Sequence, residues 1–192
     1  MSPHSQPRLL LAAAAFLVAA ACLFADEPPA APAAPATILI ADLRKNAADV
    51  FSYSSWKDKL NPTADGLVVV GGKGAQGDGG LGRGIAPPLD LSRATFIEVA
   101  LGVGALNELP EVTIALNDAD GTQVSARIRI DQIVPKQPVW FRVRLSDFTP
   151  VNGFAGTTPG MDWTSVVQWH LQGDWTTKKP FQAVLIALRA RL

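Results

Sequence analysis

Between Val124 and Asp131 the chain changes character at every step. Val124, Ala126, Ile128 and Ile130 alternate with Ser125, Arg127, Arg129 and Asp131. The pattern returns at Val139–Leu145, where Val139, Phe141, Val143 and Leu145 alternate with Trp140, Arg142 and Arg144. A period of two is the signature of a strand with one face against a core and one toward water, since successive side chains leave a pleated backbone on opposite sides. Ile97–Leu101, Val112–Leu116 and Val167–Leu171 repeat it, and Phe181–Arg191 reads as a last strand. No segment shows a helical period of confident length. These segments predict an all-β chain of about eight to ten strands, packed as a sandwich or jelly roll.

Turn chemistry supports this spacing. Asp118-Ala-Asp-Gly121 suits a tight connection between two strands, and Pro135 and Pro138 bracket the next one. Toward the N-terminus, Ala36–Leu43 reads as a first strand and Leu67–Val70 as a short one. Arg44–Leu60, with Phe51, Tyr53 and Trp56, reads as loop with short strand pieces.

The segment before residue 37 has a different composition. Arg8 precedes an apolar run from Leu9 to Phe24 with small residues at its end, so residues 1–25 are expected to be a secretory signal. The run falls short of the roughly 20 residues a comfortable membrane span needs. Ala19-Ala-Ala-Cys22 offers a second reading, a lipoprotein processing site that would attach Cys22 to a membrane. It lacks the usual leucine three places before the cysteine. Residues 26–36, rich in Pro and Ala, read as a stiff linker. The domain proper, 37–192, has about 155 residues, enough for one good core, and holds no cysteine to staple it. On this reading the protein is exported, and periplasmic, extracellular or tethered to an envelope.

Charge and motifs exclude several classes. The whole chain balances 17 basic against 17 acidic residues, so no nucleic-acid partner is expected. Gly77-Asp-Gly-Gly-Leu-Gly82 has the G-x-G-x-x-G spacing of dinucleotide sites, but Pro87 and Pro88 follow in place of a helix. A flexible or tightly turned edge strand is the expected role, with framing the mouth of a cleft as the alternative. There is no G-x-S-x-G elbow and no H-E-x-x-H. His170 is the only histidine beyond the N-terminal segment, which rules out a multi-histidine metal site. Asp118 and Asp120 have the composition of a carboxylate pair, yet their place in an Asp-Gly turn assigns them to turn formation.

Several motifs are similar to galactose-binding-like jelly rolls. They are Leu89-Asp-Leu-Ser92, the Asp118–Gly121 turn, and Trp140-Phe-Arg-Val-Arg-Leu-Ser-Asp-Phe148. Within that class the chain most resembles family 11-type carbohydrate-binding modules and CIA30-type domains. The resemblance covers 37–192 and implies a galactose-binding-like jelly-roll β-sandwich whose last strand closes against its first. It also implies a calcium site built on acids of those two strands. Asp42 matches the first, but Val184–Arg191 holds no acid, so neither a metal nor a cofactor is expected.

The expected function is non-catalytic binding of a polysaccharide or glycan, neutral or acidic, on an outer sheet face. Arg127, Arg129, Arg142 and Arg144 are candidate donors to hydroxyls or uronates. Gln168, His170 and Gln172 add polar groups, and Trp140 a flat surface. Solvated strand positions are the competing account, with Glu98 and Asp131 neutralising arginines and successive strands dividing the set between two sheets. Trp169 is assigned to the core. Trp56, Trp163 and Trp175 are expected to pack rather than touch ligand. The alternative function is a structural or assembly domain holding a protein partner in the envelope. A lyase using His170 and an arginine ranks third.

Overall fold

A computed structural model describes residues 36–69 and 75–192, and the readings made for 1–25 and most of the linker fall outside them. The described residues form two antiparallel sheets and no α-helix. The strands in chain order are β1 (Thr37–Asp42), β2 (Phe51–Ser54), β3 (Leu60–Thr63), β4 (Gly66–Val69), β5 (Gly79–Leu89) and β6 (Phe96–Val103). They continue as β7 (Glu111–Asp118), β8 (Gln123–Arg129), β9 (Val139–Arg144), β10 (Thr149–Pro150), β11 (Val166–Gln172) and β12 (Ala183–Arg191). Twelve strands exceed the expected eight to ten because β3 and β10 are too short to show a period. Both lie at sheet edges and carry a proline, Pro62 and Pro150, where a missing N–H costs no ladder bond.

The first sheet runs β3-β4-β12-β6-β9, with β1 also on β12. β12 serves two partners along one edge. Its start pairs with β4 through Ala183–Leu185, and its end pairs with β1 through Ala187–Arg191. A register shift between Leu185 and Ala187 marks the changeover. The last strand does close against the first, as the resemblance implies. Asp42, at the end of β1, directs its carboxylate to Arg44, with Nε at 2.9 Å.

The second sheet runs β10-β8-β7-β11-β5-β2. Between the sheets lies the core: Val112, Ile114, Leu116, Val124, Ile128, Trp169 and Leu171 from the second, against Leu67, Ile97, Val99, Leu101, Leu185 and Leu188 from the first. They are inward positions of the period-two pattern, whose phase changes between Leu185 and Leu188 at the register shift in β12. Trp56 is fully buried and stacks on Phe181 with ring centroids 4.3 Å apart, its indole N–H donating to the Gln76 carbonyl at 2.6 Å. Trp163 packs edge-on against Phe148. These two loop tryptophans are structural.

The glycine-rich segment corrects one expectation. It is not an edge: β5 is eleven residues long and sits between β11 and β2. Missing side chains make room for rings from its neighbours, since a Cβ on Gly79 would fall inside the Trp56 indole and one on Gly80 inside the Tyr53 ring. Pro87 and Pro88 lie where β5 bulges away from β11, between the Gln168–Gly84 and Val166–Leu89 pairs, so they interrupt no ladder bond.

The Asp118–Gly121 turn forms as read. Asp118 accepts from the backbone N–H of Thr122 at 2.9 Å and of Asp162 at 2.9 Å. Asp120 accepts from Thr158 and Thr122, and these bonds hold its carboxyl far below the usual range. Both acids organise loops.

Candidate functional site

The outward face of the second sheet is a ladder of aligned rows. One row reads Phe51, Gly82, His170, Ala115, Ser125 across β2, β5, β11, β7 and β8. The next reads Tyr53, Gly80, Gln172, Thr113, Arg127, and a third Gly84, Gln168, Asn117, Gln123. Glycines at 80, 82 and 84 lower the floor along β5. Aromatic side chains from β2 then fold inward over it instead of standing upright.

Polar contacts fix these rings. Gln172 Nε2 donates to the Tyr53 hydroxyl at 3.0 Å, and His170 Nδ1 lies 3.4 Å from the same oxygen. Phe51 meets the His170 ring edge-on, centroids 5.6 Å apart. Trp175, in the loop after β11, lies parallel to Tyr53 at 6.0 Å and remains 51% exposed. Gln123 Nε2 donates to Asn117 Oδ1 at 3.0 Å. Burial raises the Tyr53 phenol above its ordinary value and lowers the His170 imidazole below its own, so at neutral pH both are uncharged.

These residues enclose a hollow of about 460 Å³, lined by Tyr53, Asn117, Gln123, Gln168, His170, Gln172, Trp175, Val151 and Phe154. None of them carries a charge at neutral pH. Trp175 also walls a smaller hollow of about 180 Å³ beside Glu111 and Arg127. On the other side Val151 and Phe154 wall a third, of about 390 Å³, together with Thr157 and Thr158. Three hollows thus share walls, and the shared walls include two half-exposed rings, Trp175 and Phe154. Such a series suits a ligand with repeating flat apolar faces and many hydroxyls.

The residues named from sequence divide between the two sheets. Gln168 and His170 line the central hollow, and Arg127 borders the smaller one, paired to Glu111 at 3.2 Å. Arg129 is on the same sheet but is tied to Asp131 at 2.6 Å. Trp140, Arg142 and Arg144 are on β9, in the other sheet, so a single shared face is not formed. Tyr53, Asn117, Gln123 and Phe154 were not anticipated, and Trp175 faces solvent at the site instead of packing in the core. Phe51 and Tyr53 are spaced two apart opposite a glycine strand, which is the signal that marks rings lying across a sheet.

A larger hollow, about 1100 Å³, lies on the first sheet among Val68, Val103, Leu106, Val184 and Ile186. Among the described residues its walls are mostly aliphatic and hold no aromatic ring. Size alone therefore does not make it the better sugar site.

The fold has close counterparts among solved structures. A xylan-binding module of family 15 superposes with TM-score 0.54 at 15% identity, covering 83% of this chain and 97% of that one. A family 11 carbohydrate-binding module from Clostridium thermocellum, in complex with a β-1,3-1,4-mixed-linked tetrasaccharide, gives 0.55 at 17%, covering 82% and 96%. An agarase matches over 81% of this chain but 24% of its own length, at TM-score 0.53 and 14% identity. No family model matches the chain, and no curated protein sequence is detectably similar. At these identities the likeness is one of fold: the chain is a jelly-roll β-sandwich, the fold those two modules share. The family 11 part of the resemblance read from sequence is thereby a structural one, while the CIA30 part rests on motifs alone.

Proposed function

We propose that the protein is an exported, non-catalytic module that binds a neutral polysaccharide across the outer face of its second sheet. One observation carries this reading: the uncharged hollow in which Trp175, Tyr53 and His170 form an aromatic platform beside Gln168, Gln172, Asn117 and Gln123. Rings stack on the C–H faces of sugars, and the amides exchange hydrogen bonds with hydroxyls. The adjoining hollows extend the path to several sugar units. The solved structures that share the fold include a xylan-binding module and one in complex with a β-1,3-1,4-mixed-linked tetrasaccharide, which supports the same class of ligand. Non-catalytic binding is favoured because, among the described residues, Tyr53 is the only side chain hydrogen-bonded to His170, and Asp118 and Asp120 are engaged in loop structure. Export follows the expected role of residues 1–25.

Affinity electrophoresis against xylan, mixed-linked β-glucan and agarose tests the proposal. At least one should retard the protein, and Trp175→Ala should reduce that retention about five- to thirtyfold, a ring–sugar stack being worth on the order of 1–2 kcal/mol. Equal retention by Trp175→Ala, or no retention by any neutral glycan, would sink it. A second reading, an assembly module holding a protein partner, draws on the aliphatic hollow near Val184 and Leu106. Stoichiometric copurification of one protein without glycan binding would favour it.

A further inference from the structure

The outer face of the first sheet carries a charge arrangement that the neutral cleft does not use. Glu98, near the start of β6, has a side chain 1% exposed, yet three arginines converge on it. Arg142 Nε donates to Oε1 at 2.8 Å, Arg191 NH1 to Oε1 at 3.2 Å, and Arg189 Nε to Oε2 at 2.6 Å. Register explains the convergence: Glu98 pairs with Arg142 of β9 on one side and Arg189 of β12 on the other. One carboxylate faces three guanidiniums, so two positive charges are left over. Each guanidinium has five N–H donors, and Glu98 accepts one from each.

Trp140 adjoins this cluster. The Arg189 guanidinium lies 4.0 Å from its ring centroid, and the residue is still 44% exposed. Beneath it are small residues, as Trp140 pairs with Ala100, which pairs with Ala187. Arg144 stands two residues further along the same face, roughly 7 Å from Arg142. It makes no ion pair among the described residues.

We propose that this face is a second glycan site, for an acidic polysaccharide, with Trp140 stacking a sugar ring and Arg142, Arg144 and Arg191 binding uronate carboxylates or sulfates. Guanidinium groups match planar anions with paired N–H donors, and Glu98 holds three of them in fixed orientation. An exposed indole within that cationic field is what separates a sugar surface from a plain anion trap. The site shares no residue with the neutral cleft and stands or falls independently of it.

The test uses the chain lacking residues 1–25, as it would be exported, in affinity electrophoresis against polygalacturonate, with mixed-linked β-glucan, poly-glutamate and anionic phospholipid vesicles as comparators. Polygalacturonate should retard the protein and the other two anions should not. Trp140→Ala with Arg144→Ala should weaken that retention about tenfold or more while leaving glucan retention and the urea midpoint near wild type. Trp175→Ala should leave polygalacturonate retention intact. Raising salt should release polygalacturonate and spare neutral glucan. The inference is overturned if polygalacturonate fails to bind, if the double variant binds it as well as wild type, or if poly-glutamate or vesicles bind equally.

Discussion

Gly82 and Gly84 lie two residues apart on the same face of the same strand, yet the structure assigns them opposite responses to a methyl group. A Cβ on Gly82 would lie 2.7 Å from the Trp169 carbonyl oxygen and 2.9 Å from both His170 Nδ1 and Phe51 Cζ. The first of these is backbone of β11, held between β7 and β5, so it has little room to retreat. A Cβ on Gly84 would meet nothing within 4 Å. Replacing glycine by alanine in a strand gains about 0.5–1 kcal/mol by narrowing the unfolded ensemble, and overpacking a tight site costs about 1–3 kcal/mol. Gly82→Ala should therefore lose about 1–2 kcal/mol, and Gly84→Ala should gain about 0.5 kcal/mol. With a urea dependence of about 2 kcal/mol per molar, the midpoints should move down by about 0.5–1 M and up by about 0.25 M, read from tryptophan fluorescence. If Gly82→Ala proved as stable as Gly84→Ala, the claim that glycines on β5 exist to seat neighbouring rings would be refuted.

Three further outcomes follow from the same geometry. Gly80→Ala should displace the Tyr53 ring from Gln172 and Trp175, weakening neutral-glycan retention more than it weakens the fold. Glu98→Gln should cost about 2 kcal/mol, a figure discounted because Arg142, Arg189 and Arg191 are partly exposed. Burial pushes Glu98 upward, but its three guanidinium partners outweigh that and hold it below its ordinary 4.5. Its contribution is thus complete above pH about 4.5 and is lost as pH falls through the lower folded value, so the wild-type advantage over Glu98→Gln should shrink in acid unfolding curves. His170 acts in the same direction for a different reason, because the fold favours its neutral form. Burial lowers its imidazole from 6.5, so below that pH the unfolded chain takes up the proton first and stability falls with pH, a slope that His170→Gln should remove. An NMR titration placing His170 above 6.5 would contradict its burial.

The strands with the clearest period were legible, and so was the facing of most of their residues. Val139, however, is exposed, and the bulge at Val167 leaves Val166 as the buried position. Val124, Val143 and Trp169 are inward, while Arg127, Arg142 and His170 are outward. Which sheet owns each outward set was not legible, because it depends on pairing between segments far apart in the chain. The Asp118–Gly121 turn keeps β7 and β8 in one sheet, but the connection through Pro135 and Pro138 crosses to the other, carrying Trp140, Arg142 and Arg144 with it. Tyr53 and Phe51 escaped for a related reason. A four-residue strand shows too little alternation to be recognised, and its importance comes from lying beside the glycines of β5.

The two outer faces differ in a way that stability alone does not require. On the second sheet, Arg127 and Arg129 are each matched to one acid, Glu111 and Asp131, and the remaining outward groups near the hollow are neutral. A buried carboxylate on the first sheet needs compensation as well, because desolvating Glu98 without a partner would cost several kcal/mol. One or two guanidiniums meet that need. The third, with Arg144 beside it and no matching acid among the described residues, adds mutual repulsion that the folded state must carry. Side chains that repel one another in the free protein are best accounted for by an anion that arrives from outside.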